Sequence, residues 1–197
     1  MAKTTKKKQT KATKKSSSTR KIIGGLFISV DGVTESPNEW QETFDQEMGE
    51  ALGATLAEQD AILMGRKTYE EWANYWPENT TDEFAGYINN VQKYVVSSTL
   101  DKVEWGKFTN ITLLKDLDEV KKIKSLKGKN IGMSGSTTLV ASLIKADLLD
   151  ELFLMIHPVI VGKGKRIFDL VDELKRLKVV SSETSSSGTI MVKYAPQ

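Results

Sequence analysis

The sequence predicts an α/β fold with a mostly parallel central sheet, flanking helices and an antiparallel hairpin at the carboxyl terminus. Three observations support this prediction. Strand-like and helix-like segments alternate from Lys21 onward, which is typical of parallel strands joined by crossover helices. Residues 152–161 form an almost unbroken apolar run, as expected of a central strand covered on both faces. Residues 178–194 contain two β-rich stretches around a turn of serines and a glycine, which predicts the hairpin.

The amino-terminal half of the predicted fold begins with a strand at residues 22–30 and a turn-rich stretch at 31–39. A helix follows, because apolar residues at spacings of three and four share one helical face. These residues are Phe44, Met48, Ala51, Leu52 and Leu56. Residues 61–64 are predicted to form a short buried strand that runs into a helix ending near Trp72. Short strands are predicted at 94–97 and 111–114.

The carboxyl-terminal half continues with a polar helix at residues 118–126 and a strand at 130–133. After a short turn, Leu139, Leu143 and Ala146 lie on one helical face, which predicts a second buried helix. The apolar strand and the hairpin complete the sheet, and we expect the hairpin at its edge.

Length and charge divide the chain into a basic tail at residues 1–20 and a folded domain at 21–197. The chain has 197 residues, of which 39% are hydrophobic and 27% charged, an ordinary composition for a globular domain. Residues 1–21 hold nine of the 28 basic residues and no acidic one, so the remainder has 19 basic against 26 acidic residues, a net charge of −7. The tail lacks large apolar side chains beyond Met1, which predicts disorder. We interpret it as a solubilising extension, with nucleic-acid binding through its lysines as the alternative.

Missing residue types exclude several kinds of site. The chain has no cysteine, which excludes disulfides, thiolate catalysis and cysteine metal sites. Its single histidine, His157, excludes multi-histidine sites, so we expect no metal. Because no apolar run approaches the ~20 residues that cross a bilayer and no signal-peptide core is visible, we expect a cytoplasmic protein without membrane contacts. His157 itself is predicted to be a hydrogen-bonded core or edge residue of the apolar strand.

Three predicted strands end in turns suited to phosphate groups. In open α/β sheets, ligands bind outside the carboxyl ends of the strands, and helix amino termini favour anions. The turns do not follow the G-x-G-x-x-G pattern of Rossmann domains. They consist of Gly65, Arg66, Lys67 and Thr68 after the second strand, Ser97 and Ser98 after the third, and Gly135, Ser136, Thr137 and Thr138 after the fifth.

Four motifs, in order, resemble those of a known family. They are Ser29-Val30-Asp31-Gly32, Gly135-Ser136-Thr137-Thr138-Leu139, Leu149-Asp150-Glu151-Leu152 and Pro158-Val159-Ile160-Val161-Gly162-Lys163-Gly164. Over roughly residues 21–194 the chain resembles the reductase domain of the riboflavin-biosynthesis deaminase-reductase. The order of its phosphate-binding turns is also similar to the NADPH framework of dihydrofolate reductases.

The resemblance implies a dihydrofolate-reductase-like fold that binds NADPH and transfers a hydride to a small heterocyclic substrate. In the riboflavin family that substrate is a phosphorylated ribosylaminopyrimidine. The family also implies a homodimer. The implied site of the adenosine 2′-phosphate lies near Arg66, Lys67, Ser97 and Ser98, and that of the pyrophosphate at Gly135, Ser136, Thr137 and Thr138. Further cofactor contacts are implied at Gly65, Thr68, Gly162 and Gly164. Ser29 and the catalytic candidate Asp31 would face the substrate.

Two further comparisons with these families affect the predicted chemistry. The zinc deaminase that accompanies the reductase in bifunctional enzymes requires cysteines, so this chain is predicted to be a stand-alone reductase domain.

In dihydrofolate reductases a carboxylate shortly after a tryptophan binds the pterin and assists its protonation. Trp40 and Asp45 resemble that pair as substrate-binding and catalytic candidates. The alternative for Asp45 is an acid that favours a helix start, and for Trp40 a partly exposed structural residue.

Two alternative functions accompany the reductase of the riboflavin type. One is dihydrofolate reductase activity. The other is NADPH binding without turnover, in a protein that its basic tail tethers to nucleic acid.

Overall fold

The computed structural model of this protein describes residues 20–197. Within this range, eight strands form one sheet: β1 Ile22–Ser29, β2 Gln59–Gly65, β3 Gln92–Val96, β4 Ile111–Leu114, β5 Asn130–Ser134, β6 Glu151–His157, β7 Leu177–Thr184 and β8 Ile190–Pro196. Their order is β4-β3-β2-β5-β1-β6-β8-β7. Neighbours from β4 to β6 are parallel, whereas β8 is antiparallel to both β6 and β7. The predicted parallel sheet with an antiparallel hairpin at its edge is confirmed.

Helices cover both faces of this sheet. They are α1 Pro37–Trp40, α2 Gln46–Ala57, α3 Arg66–Ala73, α4 Glu83–Asn90, α5 Leu117–Lys124 and α6 Thr137–Lys145. α5 and α6 contribute Val120 and Leu143 to the largest buried cluster, together with Ile22 and Ile28 of β1. On the opposite face, Met48 of α2 packs against Phe27 and the neighbouring strands.

A separate cluster on the α2 face lies under α3 and α4. Ile62 and Met64 of β2 pack there against Ile88 of α4 and the fully buried Trp105. Ile62 and Met64 share this cluster because alternate residues of a β-strand point to the same face of the sheet.

The structure extends or shortens several predicted elements. The apolar strand predicted at 152–161 ends at His157, because Pro158 has no N–H to continue the ladder. α1 begins inside the predicted turn region and ends one residue beyond it, and α4 was not predicted. Its start is marked by Asp82, whose side chain accepts a hydrogen bond from the Phe84 N–H. Phe44, predicted on the face of α2, precedes that helix and is 51% exposed.

The boundary of the basic tail moves by one residue. Arg20, assigned to the tail from its charge, is only 6% exposed and donates to the carbonyl of Lys129 at 2.6 Å. It also forms an ion pair with Asp60. The folded domain therefore includes Arg20, and the predicted disorder of residues 1–19 lies outside the described residues.

No helix within residues 20–197 is long and apolar enough to cross a membrane.

Candidate functional site

The carboxyl ends of the parallel strands meet at one edge of the sheet and bring the predicted turns together. Gly65 at the end of β2 is in register with Val96 of β3, so the turns that begin at Arg66 and Ser97 are neighbours. On the other side, Ser134 of β5 is in register with Gly25 of β1. The predicted phosphate-binding residues therefore lie along one continuous edge.

The turns after β2 and β5 are in direct contact. A Cβ atom on Gly65 would lie 2.9 Å from the Ser136 Cβ, closer than real Cβ atoms approach. Gly135 has a φ of +61°, and a Cβ there would lie 3.4 Å from Thr68 Oγ1. Because both glycines lack a side chain, the start of α3 and the start of α6 approach each other closely.

The amino termini of these two helices differ from those of the other long helices. Asp45, Asp82 and Asp116 cap α2, α4 and α5 by accepting backbone hydrogen bonds with their carboxylates. Within the described chain, α3 and α6 begin without a side-chain cap and without an acidic residue in the first turn. Their amide groups and helix dipoles therefore remain available to an anionic ligand.

Basic and hydroxyl groups border these helix starts. Arg66 at the start of α3 is half-exposed and pairs with Glu70 at 3.1 Å, and Lys67 is exposed. Such a surface ion pair is weak, so the guanidinium can exchange Glu70 for a phosphate. Ser98 is exposed, whereas Ser97 is buried and its Oγ accepts the backbone N–H groups that shape the following turn. Ser98 is thus better placed for a ligand than Ser97.

Asp31 anchors the loop that follows β6. Its carboxylate accepts hydrogen bonds from the Val161 N–H at 3.1 Å and the Gly162 N–H at 2.9 Å. It also accepts from Ser29 Oγ at 2.7 Å and pairs with Arg166 at 3.1 Å. These bonds, that of Ser29 foremost, hold the pKa of Asp31 far below its usual value. The carboxylate is therefore ionised near neutral pH and holds the loop, which is not the state of a proton donor.

Thr34 joins this loop to the start of α6. Its Oγ1 lies 2.9 Å from Thr137 Oγ1, and its backbone N–H donates to the Lys165 carbonyl at 2.9 Å. Gly164, with a φ of +120°, lies so close to Val33 that a Cβ would approach Val33 Cγ1 to 2.7 Å. The loop with Gly162 and Gly164 thus borders the turn at Gly135 to Thr138, with Thr138 exposed just inside α6.

Trp40 and Asp45 lie on the α2 side of the site. Asp45 is the N-cap of α2, where its carboxylate accepts the Met48 N–H at 2.9 Å, and it also accepts the Ser187 N–H at 3.2 Å. Hydrogen bonding from the Ser187 side chain is the main cause that lowers the pKa of Asp45 to about 2. Trp40 donates its indole N–H to the Glu35 carbonyl at 2.8 Å. These contacts fit the interpretation of Asp45 as an acidic residue that favours the start of α2.

A partly open surface lies between α2 and the predicted phosphate-binding turns. Gly25, Leu26 and Phe27 are partly exposed, although the other residues of the central strand β1 are buried. A Cβ on Gly25 would contact the Met133 carbonyl oxygen at an ordinary 3.6 Å. The surface over Gly25 is therefore open, beside Ser134 and the turn at Gly135.

Sequence reasoning missed two residues of this site, Thr34 and Arg166. It also did not reveal that one ring nitrogen of His157 is unpaired within the described chain. Thr34 contacts Thr137, which is 103 positions away in the sequence, and Arg166 contacts Asp31, which is 135 positions away. No local sequence pattern reveals such contacts. The buried position of His157 was predicted, but His157 Nε2 has no hydrogen-bond partner among residues 20–197. No group of His, Asp or Glu side chains in that range is arranged to hold a metal ion.

The family pattern of the RibD C-terminal domain matches residues 20–191. The chain belongs to the RibD C-terminal domain family. YyaP of Bacillus subtilis is a relative with 35% identity over 183 residues, covering 89% of this chain and 94% of YyaP. Family membership confirms the resemblance to the riboflavin-biosynthesis reductase domain.

Solved structures with low sequence identity share the fold of this RibD C-terminal domain. A pyrimidine reductase-like protein from Corynebacterium diphtheriae has a TM-score of 0.66 and 14% identity, over 90% of this chain and 92% of that one. The Thermotoga maritima diaminohydroxyphosphoribosylaminopyrimidine deaminase/5-amino-6-(5-phosphoribosylamino)uracil reductase has a TM-score of 0.66 and 14% identity, over 91% of this chain and 57% of that one. Dihydrofolate reductase from Enterococcus faecalis, in complex with NADP(H), has a TM-score of 0.60 and 12% identity, over 90% and 96%. The dihydrofolate-reductase-like fold is thereby confirmed.

Proposed function

We propose that this RibD C-terminal domain protein is an oxidoreductase that binds NADPH and transfers its hydride to a small nitrogen heterocycle. The observation that carries the proposal is the contact between Gly65 and Ser136. It brings together the starts of α3 and α6, the two long helices of the described chain that have no side-chain cap. Two converging helix dipoles and a flanking Arg66 match a ligand with several phosphate groups.

We propose positions along this edge for the parts of the cofactor. The pyrophosphate would bind the amide groups at the start of α6, between Gly135 and Thr138. The adenosine 2′-phosphate would lie at the start of α3, where Arg66 offers two parallel N–H donors and Ser98 an exposed hydroxyl. NADH lacks this phosphate, so Arg66 and its neighbours would favour NADPH.

The chemistry requires the protein to orient two rings rather than to supply a nucleophile or a metal. The open surface above Gly25 and Phe27 lies next to the turn at Gly135, which suits a nicotinamide and a flat substrate in contact. Asp31, ionised and bonded to the loop after β6, would keep Gly162 beside the cofactor.

The substrate class that the family favours is the aminopyrimidine. The Thermotoga protein is by name a 5-amino-6-(5-phosphoribosylamino)uracil reductase, and we propose a substrate of this type here. Hydride transfer to the sugar carbon that carries the amine, with cleavage of its bond to the ring oxygen and a proton added to that oxygen, would open the ribose to a ribityl chain. Reduction of dihydrofolate is the alternative, supported by the fold shared with the Enterococcus enzyme and by Asp45 shortly after Trp40.

A titration of the full-length protein with NADPH and, separately, NADH tests the cofactor. A ligand that binds only the folded state raises the melting temperature, and we expect a clear rise with NADPH at concentrations where NADH has little effect. Loss of NADPH absorbance is then followed with the phosphoribosylaminouracil and with dihydrofolate. Absence of binding to either nucleotide would refute the proposal. Binding without oxidation of NADPH by either substrate would indicate a protein that binds the cofactor without turnover.

A further inference from the structure

His157 ends β6 in an aromatic environment and has one unused nitrogen. The side chain is 3% exposed, and its ring centre lies 5.7 Å from that of Phe27 and 5.6 Å from that of Trp40. Nδ1 is 3.5 Å from Thr189 Oγ1. In the described part of the chain, Nε2 is buried without a hydrogen-bond partner. Because buried polar groups in native proteins are nearly always paired, this nitrogen is a position where a water molecule or a ligand can supply the missing partner.

A series of hydroxyl groups lies between His157 and Asp45 and favours one tautomer of the imidazole. Thr189 Oγ1 lies 3.2 Å from Ser187 Oγ, Ser187 Oγ lies 3.1 Å from Ser185 Oγ, and the Ser187 backbone N–H donates to the Asp45 carboxylate at 3.2 Å. Because an ionised carboxylate only accepts, hydroxyl protons directed toward Asp45 are favoured, with Thr189 donating to Ser187. In this arrangement Thr189 accepts from the Nδ1–H of His157, and Nε2 carries the lone pair.

His157 is neutral near pH 7 in this environment. Burial is the main cause that lowers the pKa of His157, and the charge of Asp45 opposes it. A neutral imidazole protonated on Nδ1 is a hydrogen-bond acceptor at Nε2. The partner it lacks is therefore an N–H or O–H donor.

Trp40, whose ring lies edge-on to that of His157, belongs to a weakly attached element. α1 has four residues, all of them partly or fully exposed, and it begins at Ser36 in the left-handed region with a φ of 47°. The Trp40 indole is held by one hydrogen bond to the Glu35 carbonyl. Displacing α1 would therefore break few hydrogen bonds and would expose the part of the His157 ring that Trp40 contacts.

We propose that His157 Nε2 binds an N–H group of the substrate heterocycle, in a pocket whose apolar walls are Trp40 and Phe27. This inference rests on the proposed reductase function. An aminopyrimidine fits the pocket, since its flat ring suits the aromatic walls and its ring or exocyclic N–H groups donate to a neutral imidazole. Asp45, Ser187 and Thr189 are positioning residues that act through His157.

The single histidine makes this inference testable by NMR of the imidazole nitrogens in the full-length protein. The probe is diaminouracil, a pyrimidine with ring and exocyclic N–H groups, added to the protein in excess NADPH. We expect Nδ1 protonated and Nε2 unprotonated before addition, and a change of the Nε2 resonance that exceeds that of Nδ1 afterwards. Protonation on Nε2, or an Nε2 resonance unaffected by diaminouracil, would overturn the inference. The NADPH-induced rise in melting temperature in the same sample tests the reductase proposal separately.

Variants separate the role of the hydroxyl series from a general effect on packing. Thr189→Val keeps the side-chain size but removes the hydroxyl, and we expect a mixture of both tautomers and a dissociation constant for diaminouracil about tenfold higher. His157→Gln should weaken diaminouracil binding by a similar factor while NADPH binding is unchanged. Met155→Leu, on the same face of β6 and 2% exposed, is the control and should alter neither. A Thr189→Val protein with wild-type tautomer and affinity would refute the role of the hydroxyl series.

Discussion

Gly65 and Ser136 touch across the site: a Cβ on Gly65 would lie 2.9 Å from the Ser136 Cβ, although 71 residues separate them in sequence. The backbone of Gly65, with a φ of −81°, is accessible to any residue, so close approach rather than conformation requires the glycine here. The contact sets the distance between the starts of α3 and α6.

Gly65→Ala should therefore weaken NADPH binding. The added methyl group must push the Ser136 turn away from α3, and we expect the dissociation constant for NADPH to rise at least about tenfold. Gly53→Ala is the control, because among the described residues a Cβ on Gly53 would meet no atom within 4 Å. It should leave affinity unchanged and stabilise α2 by up to about 1 kcal/mol. Nucleotide titration and urea unfolding measure both, and an unaffected affinity in Gly65→Ala would refute the assigned site.

Arg66→Ala should weaken NADPH far more than NADH, since only NADPH has the 2′-phosphate that a guanidinium grips with two hydrogen bonds. A loss of about 1.5–3 kcal/mol is expected for a hydrogen bond to a charged group, equivalent to roughly a tenfold to hundredfold change. Glu70→Gln is the matched variant, because it releases Arg66 from its ion pair and should leave NADPH affinity equal or higher. Equal losses for both nucleotides in Arg66→Ala would place the 2′-phosphate elsewhere.

Asp45→Asn should reduce stability in a pH-dependent manner. The folded pKa of Asp45 is about 2 against an ordinary 3.8, so the unfolded chain binds a proton that the folded chain does not. The contribution of Asp45 is therefore complete above about pH 5 and is lost as the pH falls toward about 2. The difference in free energy of unfolding between wild type and variant should be constant from neutral pH to about pH 5 and shrink below it.

Ser187→Ala provides the control for this pH dependence. Without the Ser187 hydroxyl, the pKa of Asp45 should return toward 3.8, and the window in which Asp45 stabilises the protein should narrow. Urea titrations across the acid range measure both variants. A wild-type-to-variant difference that does not depend on pH would contradict the role of the carboxylate charge.

Lys93→Met should destabilise the protein away from the site. Lys93 is fully buried, and its ammonium donates to the carbonyls of Ile88, Asn89 and Val91 at 2.9, 3.2 and 2.8 Å at the end of α4. Methionine fills the space but removes the ammonium donor. Asn110 Nδ2 still donates to the carbonyls of Asn89 and Val91, so the loss falls mainly on the Ile88 carbonyl and should cost about 1–3 kcal/mol. Lys102→Met, at an exposed position, should change stability by less than about 0.5 kcal/mol. Urea unfolding compares them, and similar stabilities would show that the ammonium is dispensable.

The homodimer implied by the family resemblance is a further prediction. Edge strand β7 exposes apolar side chains, with Val179 60% and Val180 52% exposed. We expect light scattering after size-exclusion chromatography to return twice the 21.9 kDa of the chain. A mass of one chain at micromolar concentration would contradict the dimer.

Most elements of the fold could be predicted because their signals are local. β4 spans the four residues predicted, and β1, β5 and α6 start where apolar periodicity and turn residues indicate. α1 and α4 escaped prediction, since α1 is a short exposed turn and α4 interrupts its apolar face with Gly86, Asn89 and Asn90. The carboxyl end of β6 was placed too late because residues 158–161 are apolar but form a loop held by Asp31.

The sequence by itself determined the class of fold, the order of the strands along the chain and the turns with phosphate-binding composition. It could do so because hydrophobic periodicity and glycine-rich turns act between neighbouring residues. Only the tertiary structure decided what Asp31, Asp45 and His157 do. Their hydrogen-bond partners lie on distant segments, and the ionisation of a carboxylate or the unpaired nitrogen of a histidine depends on those partners and on burial, not on adjacent residues.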